Sequence, residues 1–179
     1  TIDDVLAAIN GNDQINVQAV ADGDRLRLID QTGAAAGNLR VQEVGSGKTA
    51  AFVLPILQLL KPMSSSSPSP ARHPVRALVL TPTRELAVQI SESAATYGRH
   101  LPLRSGVVYG GVPMPPQQKM LLAGLEILIA TPGRLLDHAN SKTVNLSQVS
   151  ILVLDEADRM LDMGFMPDLK RILAMIPKQ

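Results

Sequence analysis

A glycine-rich turn that ends in lysine and threonine is the first stretch whose residue types could do chemistry. It reads Gly45-Ser46-Gly47-Lys48-Thr49. When such a turn opens a helix, its backbone N–H groups can surround a phosphate chain, and the lysine ammonium can reach the terminal phosphates. The threonine hydroxyl can bind Mg²⁺. The short motif also fits an ordinary turn before a helix, so a nucleotide site needs a second observation.

That second observation is an apolar run that ends in carboxylates, a hundred residues further on. Residues 151–154 are Ile-Leu-Val-Leu, and Asp155 and Glu156 follow directly. A buried strand that ends in an aspartate can hold Mg²⁺ beside a phosphate loop, and an adjacent glutamate can orient or deprotonate water. We therefore predict a Mg²⁺ site at Thr49 and Asp155. Lys48 and Glu156 are the predicted catalytic residues.

The elements that must position these groups alternate regularly between strand and helix. Apolar runs at 77–80, 105–109, 126–130 and 151–154 predict strands, and amphipathic stretches between them predict helices. This alternation indicates an α/β fold with a mostly parallel sheet and a site at the carboxyl ends of the strands. Residues 61–74 are rich in serine and proline, which predicts a disordered linker.

Five motifs in a fixed order resemble one known family. They are GSGKTAAFVLPIL (45–57), PTRELA (82–87), Gly110-Gly111, TPGR (131–134) and DEAD (155–158). From residue 45 to the end, the chain resembles the first RecA-like lobe of a DEAD-box RNA helicase. The resemblance implies a P-loop three-layer sandwich that binds ATP or ADP with Mg²⁺. It also implies that residues 45–49 hold the nucleotide phosphates.

The resemblance further implies contacts to the sugar-phosphate backbone of single-stranded RNA. In the family these contacts come from PTRELA, the glycine pair and TPGR, which here gives Thr83, Arg84, Gly111, Thr131, Gly133 and Arg134. Arginine forks suit phosphates, and glycines allow a close backbone approach. Purely structural roles stay open, since Arg84 could pair with Glu85 and Thr131 could serve only as a helix cap.

Composition narrows the classes of function. The 179 residues carry a net charge of +1, so an RNA contact must depend on local groups and not on a general positive field. The chain has no cysteine, which excludes disulfides and thiolate metal sites. Its histidines, His73, His100 and His138, lack ligand spacing, and we expect them on the surface. No membrane span or signal peptide is evident, so a cytoplasmic protein is expected.

Residues 1–44 do not match the start of a DEAD-box lobe. They predict a helix over 1–9, a hairpin at Asp22-Gly23 and a third β segment before Gly45. The phrases TIDDVLAAIN, DGDRLRLID and GNLRVQEV resemble the flagellin hook IN motif. The segment that leads into the phosphate loop is half polar, which predicts an edge strand or an imperfect replacement. We therefore expect a chimera joined between Val44 and Gly45, and an engineered one.

Several parts of the DEAD-box pattern are missing from the sequence. The adenine-reading element, the Ser-Ala-Thr motif and the second lobe with its arginine fingers are absent, so we expect a truncated lobe that hydrolyses ATP poorly and does not unwind RNA by itself. The alternative is a chimeric scaffold with idle motifs. Exposed sheet edges predict a homodimer. Because the chain begins with threonine, we expect a fragment or a processed product.

Overall fold

The chain divides into two compact units, Thr1–Val44 and Gly45–Gln179. The computed structural model describes residues 17–22, 25–30 and 48–177. In the first unit, strands β1 (Val17–Asp22) and β2 (Arg25–Asp30) pair antiparallel, with Asp22 opposite Arg25. This is the predicted hairpin. The predicted helix over 1–9 and the predicted strand before Gly45 lie outside the described residues.

The second unit contains the predicted alternation of strands and helices. Its strands are β3 (Ala77–Leu80), β4 (Ser105–Val108), β5 (Ile127–Ala130) and β6 (Ile151–Leu154). Its helices are α1 (Lys48–Leu60), α2 (Arg84–Gly98), α3 (Met114–Leu122), α4 (Pro132–Asn140), α5 (Ala157–Asp162) and α6 (Met166–Met175). None of the described helices combines the length and the apolar character that crossing a bilayer requires.

The four strands of this unit form one parallel sheet in the order β4-β5-β3-β6. Ala77 in β3 lies opposite Ile127 in β5 on one side and Ile151 in β6 on the other. Among the described strands, β6 pairs only with β3, and its last residue, Leu154, is 39% exposed. The predicted parallel α/β fold is therefore confirmed, with β4 and β6 at the edges of the described sheet.

Alternating side chains of the central strands supply two separate cores. Leu78 and Leu80 point to one face, where they join residues from α3, α4, α5 and α6. Ala77 and Val79 point to the other face and pack with α1 and α2. Because successive side chains of a strand face opposite ways, a strand buried on both sides must be apolar throughout. The result is a helix–sheet–helix sandwich of three layers.

Residues 61–74 have defined structure where the sequence predicted a disordered linker. Two short 3₁₀ helices, Lys61–Met63 and Pro70–Arg72, flank the serine-rich stretch. The carbonyl oxygen of Ser67 lies 2.6 Å from His73 Nε2 and accepts a bond from an Arg104 guanidinium nitrogen at 3.1 Å. Composition did not reveal these bonds because both donors lie outside the serine tract.

His73 is buried, so the expectation of a surface histidine was wrong at this position. Its side chain is 1% exposed and its Nδ1 lies 2.5 Å from Oε1 of Glu126, which is fully buried. The second oxygen of Glu126 accepts the backbone N–H of Arg104 at 2.8 Å. A buried carboxylate needs such partners, and here they lie 53 and 22 residues away along the chain.

Replacing Glu126 with alanine is expected to destabilise the fold by about 3 kcal/mol, because the His73 ring and the Arg104 N–H would lose their buried acceptor. For a domain of this size, that loss corresponds to a fall in melting temperature of roughly 6 to 12 °C. Thermal unfolding measures it. Glu92→Ala, which truncates an exposed carboxylate on α2, is the control. Equal melting temperatures for the two variants would contradict a structural role for this pair.

Candidate functional site

The carboxyl ends of the four parallel strands meet at one edge of the sheet. Backbone bonds extend each ladder by one residue: Thr81 donates to the Ala130 carbonyl at 3.1 Å, and Asp155 donates to the Leu80 carbonyl at 2.9 Å. Thr131 donates to the Val108 carbonyl at 3.1 Å. The loops that carry the predicted site residues therefore leave the sheet side by side.

The ionised form of the Asp155 carboxyl group is less stable in the folded protein than in water. Burial, the dominant cause, raises its pKa, and the negative charge of Glu156 raises it further. The positive charge of Lys48 and a hydrogen bond from the Glu156 backbone act in the opposite direction. The charge of Lys48, the first residue of α1, therefore acts on the carboxyl group at the end of β6.

Glu156 has a left-handed backbone, with φ of 51° and ψ of 50°. This conformation is rare for residues other than glycine, and strain of this kind clusters at functional sites. Its carboxylate accepts a bond from Arg159 at 3.1 Å, and both side chains are partly exposed. The predicted catalytic glutamate is thus held at a sharp turn directly after the predicted Mg²⁺ ligand.

The described part of the phosphate loop is its last two residues. Lys48 and Thr49 form the first turn of α1, which is anchored by the buried side chains of Val53, Ile56, Leu57 and Leu60. Gly45, Ser46 and Gly47 lie outside the described residues. The predicted phosphate-binding role of those three residues therefore stays a prediction.

The donor groups at this edge fit Mg²⁺ rather than a transition metal. Thr49 and Asp155 offer only oxygen, and Mg²⁺ binds proteins through one or two carboxylates while phosphates and water fill its other positions. Across the part of the chain that the structure describes, no group of three or more His, Cys, Asp or Glu side chains could hold a metal ion by itself. A cation here would need phosphate oxygens to complete its shell.

Arg84 and Gly111, two of the predicted RNA contacts, lie next to each other. Thr83 caps α2 by accepting the Leu86 N–H at 3.4 Å, and Arg84 begins the helix with an exposed side chain. Gly111 has φ of 79°, and a β-carbon at this glycine would lie 3.8 Å from an Arg84 guanidinium nitrogen. Arg84 also lies 3.6 Å from Glu85, at an exposed pair that contributes little stability.

Arg134 is not the open RNA contact that the sequence predicted, because its side chain is only 10% exposed. One guanidinium nitrogen donates to the Val112 carbonyl at 3.0 Å, and another donates to Gln117 at 3.3 Å. Its Nε lies 3.5 Å from an Asp137 carboxylate oxygen. Arg134 therefore ties the loop that follows the glycine pair to α4.

Thr131 and Gly133 lie at the start of α4, where the Thr131 hydroxyl and the Gly133 backbone are available to a ligand. Thr131 is the residue that caps this helix, yet its side chain makes no capping bond. The hydroxyl of Thr131 therefore does not serve as a helix cap. A β-carbon at Gly133 would meet nothing within 4 Å. The two residues present a hydroxyl and an unobstructed backbone at a helix amino end, which favours an anion.

Comparison with known proteins decides the family. A model of the DEAD/DEAH box helicase family matches residues 28–179. The chain belongs to the DEAD/DEAH box helicase family. Its Asp155-Glu156-Ala157-Asp158 stretch supplies the four letters of the family name, and the geometry above belongs to the first RecA-like domain of a DEAD-box helicase.

Relatives match the larger part of this helicase chain. It is 49% identical over 136 residues to DEAD-box ATP-dependent RNA helicase 20 of Oryza sativa subsp. japonica, a match that covers 76% of this chain and 27% of that protein. Identity to the ATP-dependent RNA helicase dbp2 of Schizosaccharomyces pombe is 48% over 136 residues, covering 76% and 24%. The chain thus spans about a quarter of the length of these relatives.

Solved structures of DEAD-box helicases have the same fold. The yeast DEAD-box splicing factor Prp28 superposes with a TM-score of 0.64 at 38% identity, covering 76% of this chain and 31% of the other. A hypothetical ATP-dependent RNA helicase from Sulfolobus tokodaii gives 0.62 at 40% identity, covering 75% and 36%. The predicted RecA-like fold is confirmed.

Gln117 is a residue of this helicase domain that sequence reasoning missed. It is buried on α3, its amide nitrogen donates to the Tyr109 carbonyl at 3.1 Å, and its oxygen accepts from Arg134. Tyr109 directly precedes Gly110-Gly111, so the Gln117 side chain joins the glycine pair to α4, the helix that begins within the TPGR motif and is called the TPGR helix below. The only sequence signal was its position one helical turn before the buried Leu121.

His138 completes this network and is fully buried, so the expectation of a surface histidine was wrong here too. Burial and the charge of Arg134 lower its pKa, while Asp137 opposes them. Burial therefore favours the neutral form of the imidazole. Its Nε2 donates to the Gln117 oxygen at 3.1 Å, and its Nδ1 lies 2.9 Å from the Thr143 hydroxyl oxygen.

Proposed function

We propose that residues 45–179 form the nucleotide-binding lobe of a DEAD-box RNA helicase, which binds ATP or ADP with Mg²⁺ and contacts the backbone of single-stranded RNA. The observation that carries this proposal is the position of Asp155 at the carboxyl end of β6, where the positive charge of Lys48 acts to lower the pKa of its carboxyl group. Nucleotide sites of parallel α/β folds lie at that edge. The relatives named above are ATP-dependent RNA helicases by name, which supports the same reading.

Each group has a defined part in this proposal. The Lys48 ammonium pairs with the terminal phosphates, and the Thr49 hydroxyl and the Asp155 carboxylate hold the Mg²⁺ side of the nucleotide. Bound Mg²⁺ would neutralise phosphate charge. Glu156 accepts a proton from the attacking water, and Arg159 donates to its carboxylate at 3.1 Å.

The variant Lys48→Ala tests the nucleotide site. Removing the ammonium is expected to weaken ADP·Mg²⁺ binding by about 100-fold, because charge-assisted contacts to phosphate are lost. Displacement of a fluorescent nucleotide measures the affinity. Lys61→Ala is the matched control, since it removes another exposed lysine just beyond the far end of the same helix. Equal affinity for the two variants would rule out the proposed phosphate site.

The proposed RNA surface is formed by Arg84, Gly111, Thr131 and Gly133. Arg84 stands exposed beside the bare backbone of Gly111, and Thr131 has an unused hydroxyl at a helix start. These groups suit phosphate oxygens and do not read bases. Arg134 enters this proposal as a positioning residue, because its guanidinium is already bonded inside the fold.

Arg84→Ala is expected to weaken binding of a single-stranded RNA about tenfold and to reduce the salt dependence by about one charge. Fluorescence anisotropy with labelled oligouridine at several salt concentrations measures both. The control is Arg171→Ala, which removes an exposed arginine of α6. An unchanged salt dependence in Arg84→Ala would show that this arginine does not contact phosphate.

Finer parts of the sequence reading stay predictions. The family model begins at residue 28, inside the segment that resembles the flagellin motif, and the named relatives lend no support to a chimera. The alternative function, an engineered scaffold with idle motifs, would require that neither nucleotide nor RNA binds. Homodimerisation through sheet edges and a cytoplasmic location are likewise proposals.

A further inference from the structure

A polar pocket lies at the end of the sheet opposite the candidate nucleotide site. Its walls include Ser64, Ser65, Arg72, Arg76 and Gln148. Arg76 directly precedes β3, and its carbonyl accepts the backbone N–H of Ile151 at 3.0 Å. The pocket is therefore at the amino ends of β3 and β6, whereas Asp155 and the other proposed site residues follow the carboxyl ends. The two sites are separated by the length of the strands.

Positive charge in this pocket is not neutralised by the residues that the structure describes. Neither Arg72 nor Arg76 makes an ion pair there, and the Nε of Arg76 is buried without a hydrogen-bond partner. Among the described residues, no aspartate or glutamate lines the pocket. The sequence itself contains no aspartate or glutamate from residue 44 to residue 84. Because this Nε is closed to solvent, a ligand in the pocket would be held by the other guanidinium nitrogens of Arg76.

We propose that this pocket binds the phosphate group of a diffusible small molecule. Two guanidinium groups match the charge of a phosphate dianion, and their planar forks match its oxygens. The Ser65 hydroxyl and the Gln148 amide add neutral donors to the same wall. A carboxylate would leave one of the two charges unmatched. The ligand class is therefore inorganic phosphate or a phosphate monoester.

The test is a titration of inorganic phosphate into the complete chain, followed by amide chemical shifts. Lys48→Ala is used as the parent, so that phosphate binding at the proposed phosphate loop is weakened and the amides of the pocket report their own site. We expect saturable shifts at the amides of Ser64, Ser65, Arg72, Arg76 and Gln148. Adding Arg76→Gln is expected to weaken binding about tenfold or more, because a charge-assisted donor is removed. Arg171→Gln on the same parent is the matched control.

Arg72→Gln serves as a second variant, because this exposed arginine can be replaced without disturbing the interior. It is expected to weaken phosphate binding by a similar factor. Absence of saturable shifts at the pocket amides would overturn the proposal, and so would equal affinity for the parent and both pocket variants. Since the parent already lacks Lys48, failure here is distinguishable from failure of the nucleotide site.

Discussion

Replacing Asp155 with asparagine is expected to raise the melting temperature of the ligand-free chain and, at the same time, to remove the strengthening of ADP binding by Mg²⁺. Folding raises the pKa of this carboxyl group, chiefly through burial and secondly through Glu156. A raised pKa means that the ionised group destabilises the folded state above that pKa, and that this cost is absent below the ordinary pKa of aspartate. Asparagine carries no charge and removes the cost.

Two readouts separate this expectation from a simple structural effect. The gain in melting temperature should be present at pH 7.5 and should vanish near pH 3, where Asp155 is protonated in both states. Mg²⁺ should strengthen ADP binding to the unmodified chain about tenfold or more and should have no effect on the variant. Asp162→Asn, a change at the last residue of α5, is the control. A lower melting temperature in Asp155→Asn would contradict the electrostatic account.

The second large effect is expected from Gln117→Ala. Truncation would leave the Tyr109 carbonyl, an Arg134 N–H and the His138 N–H without their buried partner. Such a loss costs about 2 to 4 kcal/mol of unfolding free energy. Because Gln117 joins the glycine pair to the TPGR helix, RNA affinity should also fall by about tenfold. Denaturant unfolding and RNA anisotropy measure the two effects.

Gln118→Ala is the matched control for this network. Gln118 is the next residue of the same helix, is less buried, and makes no side-chain hydrogen bond among the described residues. It should leave stability and RNA binding nearly unchanged. If Gln117→Ala lowered stability but left RNA affinity at the level of Gln118→Ala, Gln117 would support the fold without positioning the RNA loops.

The strands were predictable because uninterrupted apolar runs are a plain signal, and burial on both faces explains the run at 77–80. Residues 77–80 and 151–154 are uninterrupted apolar runs, and both strands have those bounds in the structure. Asp155 could be placed for the same reason, since a parallel strand delivers its next residue to the shared edge. Helix α3 begins at Met114 and carries Pro115 and Pro116 in its first turn, where prolines are tolerated.

The buried polar networks could not be predicted because their partners are distant in sequence. His73 depends on Glu126, and His138 depends on Gln117, 21 residues away. Nothing in the local pattern of either histidine distinguishes it from a surface residue. Arg134 shows the same limit, because its TPGR motif suggested an outward contact while Val112 and Gln117 hold it inside.

A calorimetric titration of ADP into the unmodified chain, with and without Mg²⁺, tests the central claim most directly. The proposed site predicts saturable heat with one nucleotide per chain, and tighter binding when Mg²⁺ is present. Absence of heat under both conditions would show that the residues meeting at the carboxyl edge do not form a nucleotide site, and would favour a scaffold with idle motifs.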